Sequence, residues 1–135
     1  MKFSTLRSVL KSILGLSVFT VATIESLSAT TYYVSKTGND ANNGLSVANA
    51  KLTITAAANL ATSGSDVIVI STGYYAETIQ VGYSMTFSVD SVQVDQLTMN
   101  KTGITLTIDG NTAPKTFNVK TKITLTDGIV KIGAA

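Results

Sequence analysis

Short strand patterns recur along the second half of the chain, and their spacing limits the fold more than any other feature. Met85-Thr-Phe-Ser-Val-Asp90, Ile104-Thr-Leu-Thr-Ile-Asp109 and Ile123-Thr-Leu-Thr-Asp127 share one pattern, with Met85, Ile104 and Ile123 nineteen residues apart. A second series, Ile79-Gln-Val81, Leu97-Thr-Met99 and Phe117-Asn-Val119, is offset from the first. A looser third series runs Val67 to Ile70, Val92-Gln-Val94 and Ile129 to Ile132. A repeat of this length cannot bury its own apolar face, so successive repeats must stack and share a core. The spacing predicts an all-β solenoid of a few coils with three strands each. Alternation turns Ile104, Leu106 and Ile108 inward and Thr105 and Thr107 outward, and turns Met85, Phe87 and Val89 inward in the same way. Short alternating strands also suit an up-and-down barrel or a small sandwich, but the register of the repeat favours the solenoid.

The stretch Ser63 to Val81 reads as the first full turn. Its apolar run at 67–70 has the composition of a strand buried on both faces, and Gly73 breaks it before a second strand, Thr78 to Val81. Upstream, residues 51–62 carry Leu52, Ala56 or Ala57, and Leu60 at helical spacing, with Ser63-Gly64 as a stop, which predicts one short helix. Thr31 to Ser35 reads as a strand leading into a Gly/Asn/Asp-rich loop at 38–46. With Gly44 at the bend of an EF-hand-type loop, the ligand positions fall on Asn39, Ala41 and Asn43. Alanine cannot coordinate a cation, so Asx turns are the simpler account.

The first 29 residues stand apart. Lys2, Arg7 and Lys11 form a basic start, Ser12 to Ile24 an apolar run short for a membrane span, and Glu25 to Ala29 a small, polar end. This is the layout of a secretory signal peptide, with Ser26 and Ser28 placing cleavage after Ser28; an uncleaved anchor is the alternative. The expected organisation is a signal peptide at 1–29, a strand, loop and capping helix at 30–65, and coils at 66–135. Without the leader, seven basic and seven acidic residues remain of a chain whose formal charge is +2. A nucleic-acid partner or an anionic membrane then has no electrostatic basis. The mature part has no Arg, His, Cys or Trp, so no disulfide, thiolate or imidazole chemistry is available to it.

The order TYYVSKTGNDANNGLS, Ala-rich helix, SGSDVIVISTGYYAETIQV and strand repeats resembles the N-terminal end of the right-handed parallel β-helix, or pectate-lyase-like, superfamily. Gly38, Asp40 and Gly44 match its loop motif, Asp66 the acidic residue before its first coil, and Gly73-Tyr74-Tyr75 the entry to its second strand. The final ITLTDGIVKIG is similar to Thr- and Gly-rich repeats in large secreted surface proteins of Bacteroidetes-type bacteria. The resemblance implies a right-handed parallel β-helix with a short N-terminal capping helix. It also implies a family that contains polysaccharide lyases and hydrolases, with catalytic groups on middle coils.

Elimination from an acidic sugar needs a base and a cation or Arg; hydrolysis needs two spaced carboxylates. Asp90, Asp109 and Asp127 recur near the strand ends and are candidates for a Ca²⁺ ladder or a catalytic pair; as Asp-Ser and Asp-Gly they equally form exposed turns. Thr86/Ser88, Thr105/Thr107 and Thr124/Thr126 would stack into a hydroxyl array resembling the ice-binding faces of some antifreeze proteins, although Thr is also simply a good strand former. Tyr74, Tyr75 and Tyr83 are candidate platforms for a polysaccharide, or packing at coil edges. The last repeat ends at Gly133-Ala-Ala with no polar cap, so its coil should expose strand edges and apolar surface. That expectation allows a piece of a longer surface protein or self-association end to end. The functional expectation is a secreted, non-catalytic module with a structural, adhesive or carbohydrate-binding role. A lyase or hydrolase fragment and an ice-binding solenoid are the alternatives.

Overall fold

The computed structural model describes residues 28–110 and 115–133. Most of the expected leader, most of the turn at 110–114, and Ala134-Ala135 therefore lie outside the described residues.

Six strands follow one another, with little helix: β1 (Thr31–Val34), a 3-10 turn (Val47–Asn49), α1 (Ile54–Ala58), β2 (Val67–Ile70), β3 (Gly73–Val81), β4 (Met85–Val89), β5 (Ser91–Asp109) and β6 (Thr116–Ile132). They form one sheet in the order β1-β2-β4-β5-β3, with β6 also on β5, and every pairing is parallel. The sheet curls into a half-barrel. β5 is the hinge of this curl: its first half pairs with β3 and its second half with β4, while β6 follows β5 along nearly its whole length.

Because the strands are parallel and in register, inward side chains stack in columns. Ile79, Leu97 and Ile123 form one, Val81, Met99 and Leu125 a second, and Phe87, Ile108 and Ile132 a third. The members on β3, β4 and β5 are buried or nearly so, with Ile79, Phe87 and Met99 at 0 % exposure. The alternation read from the sequence holds within β4 and the second half of β5: Met85, Phe87, Val89, Ile104 and Leu106 are buried, and Thr86, Ser88, Thr105 and Thr107 are partly exposed.

The nineteen-residue register holds between β2 and β4 and from Gly73 to Tyr75 on Val92 to Val94, and Ile79 and Val81 lie on Leu97 and Met99 as expected, but it is lost in the later strands. Met85 aligns with Leu106 rather than Ile104, and Ile123 aligns with Leu97 rather than with either of them. Any of these alternating patterns can lie on another, so apolar pattern alone does not choose among registers. What decides is chain length at the corners: the ladder is irregular from Met99 to Thr105, and further chain intervenes between Asp109 and Thr116. Gly128 lies on β6 opposite the first of these corners. Its φ is +106°, and a Cβ there would lie 3.2 Å from both the Ile104 carbonyl oxygen and the Met99 methyl.

Three further expectations are corrected. The helix covers five residues instead of the 51–62 stretch, because Lys51 is taken by a bridge to Val34 and Thr53 is the N-cap, accepting from the Ala56 N–H at 3.1 Å. The 67–70 strand is buried on one face only: Ile68 and Ile70 are enclosed, whereas Val67 and Val69 are half-buried on the outer side. The following strand starts at Gly73 instead of Thr78, and its ladder shifts between Tyr75 and Thr78.

The N-terminal end of the sheet is closed. The free edge of β1 is paired by Tyr33 N–H to the Gly44 carbonyl at 2.7 Å, Lys51 N–H to the Tyr33 carbonyl at 2.8 Å and Ser35 N–H to the Lys51 carbonyl at 2.9 Å. Gly38 is needed in this fold-back, since a Cβ there would lie 2.3 Å from the Lys51 carbonyl oxygen. Ile54, Ala57, Ala58 and Ala61 add α1 and its exit to the core.

Candidate functional site

Three carboxylates near the closed end are engaged by backbone N–H groups. Asp66, 2 % exposed, accepts from Thr30, Thr62 and Ser63, each at 2.9 Å. Glu77, reaching over from β3, caps α1 by accepting from Ile54 N–H at 2.8 Å, Thr55 N–H at 2.9 Å and the Thr55 hydroxyl at 2.5 Å. Asp40 accepts from Leu52 N–H, Thr53 N–H and the Thr53 hydroxyl. Burial alone would raise the Asp40 carboxyl; the Thr53 and Leu52 hydrogen bonds and the Lys51 charge outweigh it and hold the group below its ordinary value. In the same loop, Asn39 and Asn43 each close an Asx turn, accepting from Ala41 and Leu45 N–H, and the Lys51 ammonium donates to the Asp40 carbonyl at 2.7 Å. The EF-hand-type reading fails on these bonds: a lysine cation and backbone donors occupy the loop's acceptors.

The predicted Asp ladder is not assembled. Asp109 aligns with Ser88 and Asp127 with Asn100, so the register stacks no two of the three candidates. The Asp109 carboxylate accepts from Gly110 N–H and lies 3.7 Å from the Lys115 ammonium. The Asp127 carboxylate accepts from Gly128 N–H and the Thr102 hydroxyl, and the Asp90 carbonyl accepts from Thr116 N–H. Among the described residues no three of His, Cys, Asp and Glu cluster as a metal site.

The hydroxyl array is divided for the same reason. Thr86 lies beside Thr107, but Ser88 lies beside Asp109, Thr105 beside Ile129 and Thr124 beside Thr98. Thr126 falls where the ladder of β6 is irregular.

The three tyrosines are in different surroundings. Tyr75 is a core residue at 1 % exposure, its hydroxyl donating to the Ser71 carbonyl at 3.0 Å, so it cannot serve as a platform. Tyr83 is 47 % exposed with the Lys101 ammonium 4.3 Å from its ring centre. Tyr74 is 40 % exposed, donates its hydroxyl to Asp95, and has the Lys120 ammonium 5.3 Å from its ring centre. The Asp95 hydrogen bond raises the Tyr74 phenol. Gln93 and Asn118 line up beside Tyr74 on successive strands and, with Ser91 and Thr116, line a groove of about 340 Å³. Asp95 and Lys120 are the contacts that the sequence did not reveal, because only the register brings them to Tyr74.

The open end carries exposed apolar side chains. On β6, Ile123 is 55 % exposed, Leu125 50 % and Ile132 82 %, each at the end of a column buried on the strands before it. Phe117, Val119 and Val130 pack partly against the same core. On its other side β6 pairs with no described strand. The site is thus a curved strand edge, 17 residues long, with an apolar inner rim and the polar groove beside Tyr74 on the outside.

No protein-family model matches the chain, and no curated protein or solved structure matches it.

Proposed function

We propose that the chain is a secreted, non-catalytic β-solenoid module, a right-handed parallel β-helix closed at its N-terminal end, with a structural or adhesive role at the cell surface. One observation carries the reading: exposure along a column steps from 0 % at Ile79 and 1 % at Leu97 to 55 % at Ile123. A core that stops short at one end and is sealed at the other suits a unit that joins more β-structure. Successive parallel strands in one sheet support the right-handed sense, since such crossovers are right-handed in about 98 % of cases. The breaks in the β5–β6 ladder, which divide each pass into three segments, support three strands to a coil.

The non-catalytic part of the reading rests on the carboxylates. Asp40, Asp66 and Glu77 are held by backbone donors, and Asp90, Asp109 and Asp127 do not converge. Export rests on the leader-like residues 1–29. An adhesive contact with polysaccharide would use the Tyr74 groove, where Gln93 and Asn118 present amides to sugar hydroxyls.

The test is to express the full chain with its own leader, recover the exported protein, and incubate it with pectin and other uronate polymers with and without Ca²⁺. A β-rich protein shortened at its N-terminus that yields no ultraviolet-absorbing unsaturated product is the expected result. Unsaturated product would overturn the non-catalytic reading, and retention of the whole leader inside the cell would overturn export.

A further inference from the structure

We infer that Asn43-Gly44 is a self-modification site locked by the fold-back that seals β1. The pair converts to aspartate or isoaspartate only while that fold-back is open, and isoaspartate there keeps it from closing again.

An asparagine followed by glycine is prone to attack on its side-chain amide by the next backbone nitrogen, because glycine puts no Cβ in the way and lets the chain reach the geometry. Asn43-Gly44 is the one such pair in the sequence. In the reaction the Gly44 nitrogen gives its proton to a base in the solvent and attacks Cγ of Asn43. The Cγ–Nδ2 bond breaks, and the amide leaves as ammonia with a proton taken from water. Water then opens the resulting succinimide at either carbonyl, one route giving aspartate and the other isoaspartate. Only water and base are consumed.

The fold holds both partners of the first step. The Gly44 N–H donates to the Asn49 carbonyl at 2.9 Å, and the Gly44 carbonyl accepts from Tyr33 N–H at 2.7 Å. Gly44 is buried, with Lys51 Cγ and Tyr32 Cδ1 lying 3.3 and 3.6 Å from where a Cβ would stand. Base in the solvent therefore does not reach this N–H until the pairing opens. The Asn43 side chain is exposed, but its Oδ1 accepts from Leu45 N–H at 2.9 Å, which fixes the amide in its Asx turn. The loop is fastened at its other end by Asn39 N–H on the Ala50 carbonyl at 3.0 Å and by the Asp40 carboxylate on Leu52 and Thr53 N–H. The bonds that close the β1 edge thus also suppress the reaction, whose folded rate is the unfolded rate multiplied by the fraction of time the fold-back is open.

The two products differ in consequence. Aspartate keeps the main chain and an acceptor oxygen for Leu45, so the fold-back can re-form. Isoaspartate routes the main chain through the side chain and adds a methylene just before Gly44. Asn39 and Gly44 both pair with the carbonyls of residues 49–50, so a lengthened link between them cannot serve both bonds, and Tyr33 loses its partner. Chemistry during a transient opening makes that opening permanent.

The test is to hold the full chain in mildly alkaline buffer, folded and unfolded in guanidinium chloride, and to follow its peptides by mass spectrometry. The Asn43 peptide should gain the mass of amide-to-acid conversion at least about tenfold more slowly in the folded chain, and Asp40→Ala should raise the folded rate roughly tenfold while leaving the unfolded rate unchanged. Equal rates in the two states would overturn the lock. A folded rate indifferent to Asp40→Ala would overturn opening of the loop as its gate. Asn43→Gln should abolish the gain in the unfolded chain, and its persistence would overturn the assignment to Asn43. After refolding of aged protein, hydrogen exchange at Tyr33 and Lys51 N–H should be fast in the isoaspartate fraction; retained protection would overturn the permanent opening.

Discussion

Asp66 shows how a single side chain can join distant parts of this molecule. Its carboxylate ties Thr30, just before β1, to the Thr62–Ser63 exit of α1 and so to the start of β2. Removing it leaves three N–H groups without their acceptor, that of Ser63 in a buried setting. Asp66→Ala should cost about 2–4 kcal/mol, read from the urea midpoint at unchanged slope. Asp40 adds a pH dependence. Its folded value lies below the ordinary 3.8, so its stabilising contribution is complete above that value and is lost as pH falls through the lowered one. Wild type should therefore exceed Asp40→Asn in stability at neutral pH, with the gap closing only below about pH 4, in urea titrations run across that range.

At the scale of the element, the question is register. Thr86 is aligned with Thr107, whereas a strict nineteen-residue repeat would place it beside Thr105. Neighbouring rungs about 4.8 Å apart are within disulfide range, so Thr86→Cys with Thr107→Cys should form an intramolecular bond and Thr86→Cys with Thr105→Cys should not. Peptide mapping after oxidation distinguishes the two. Strand identity and facing were legible because alternation is a local property: Met85, Phe87 and Val89 could be set inward without knowing their neighbours. Which rung lies on which was legible only in part: Ile79 and Val81 do lie on Leu97 and Met99, but beyond Met99 the alignment depends on how much chain each corner takes up, and Asn100 to Gly103 gives no local sign of that amount. The helix shows the same limit. Ala56 and Ala57 announced it, but Glu77, the acceptor for its first N–H groups, lies 23 residues after Ile54. The tyrosine candidates divided along this line too, since an aromatic in an alternating strand can be placed on a face only once the bulge between Tyr75 and Thr78 is known.

Across the whole molecule, the same column should answer differently to the same truncation. Leu97→Ala removes an enclosed side chain and should cost about 3 kcal/mol, whereas Ile123→Ala removes a half-exposed one and should cost on the order of 1 kcal/mol.

The sealed β1 edge also bears on the order of assembly in time. A polypeptide that emerges N-terminus first presents β1, its fold-back loop and α1 before any later strand exists. β2, β4, β5 and β6 each find a finished strand on one side and only unsynthesised chain on the other, whereas β3 waits for β5. Much of the pairing that is slow for a parallel sheet refolding from dilute solution can then proceed one strand at a time, in the order of delivery. Along the path β1-β2-β4-β5-β6 the unpaired margin is always the one still awaiting chain, so N-to-C delivery itself keeps the earlier edges on that path from sticking to strangers.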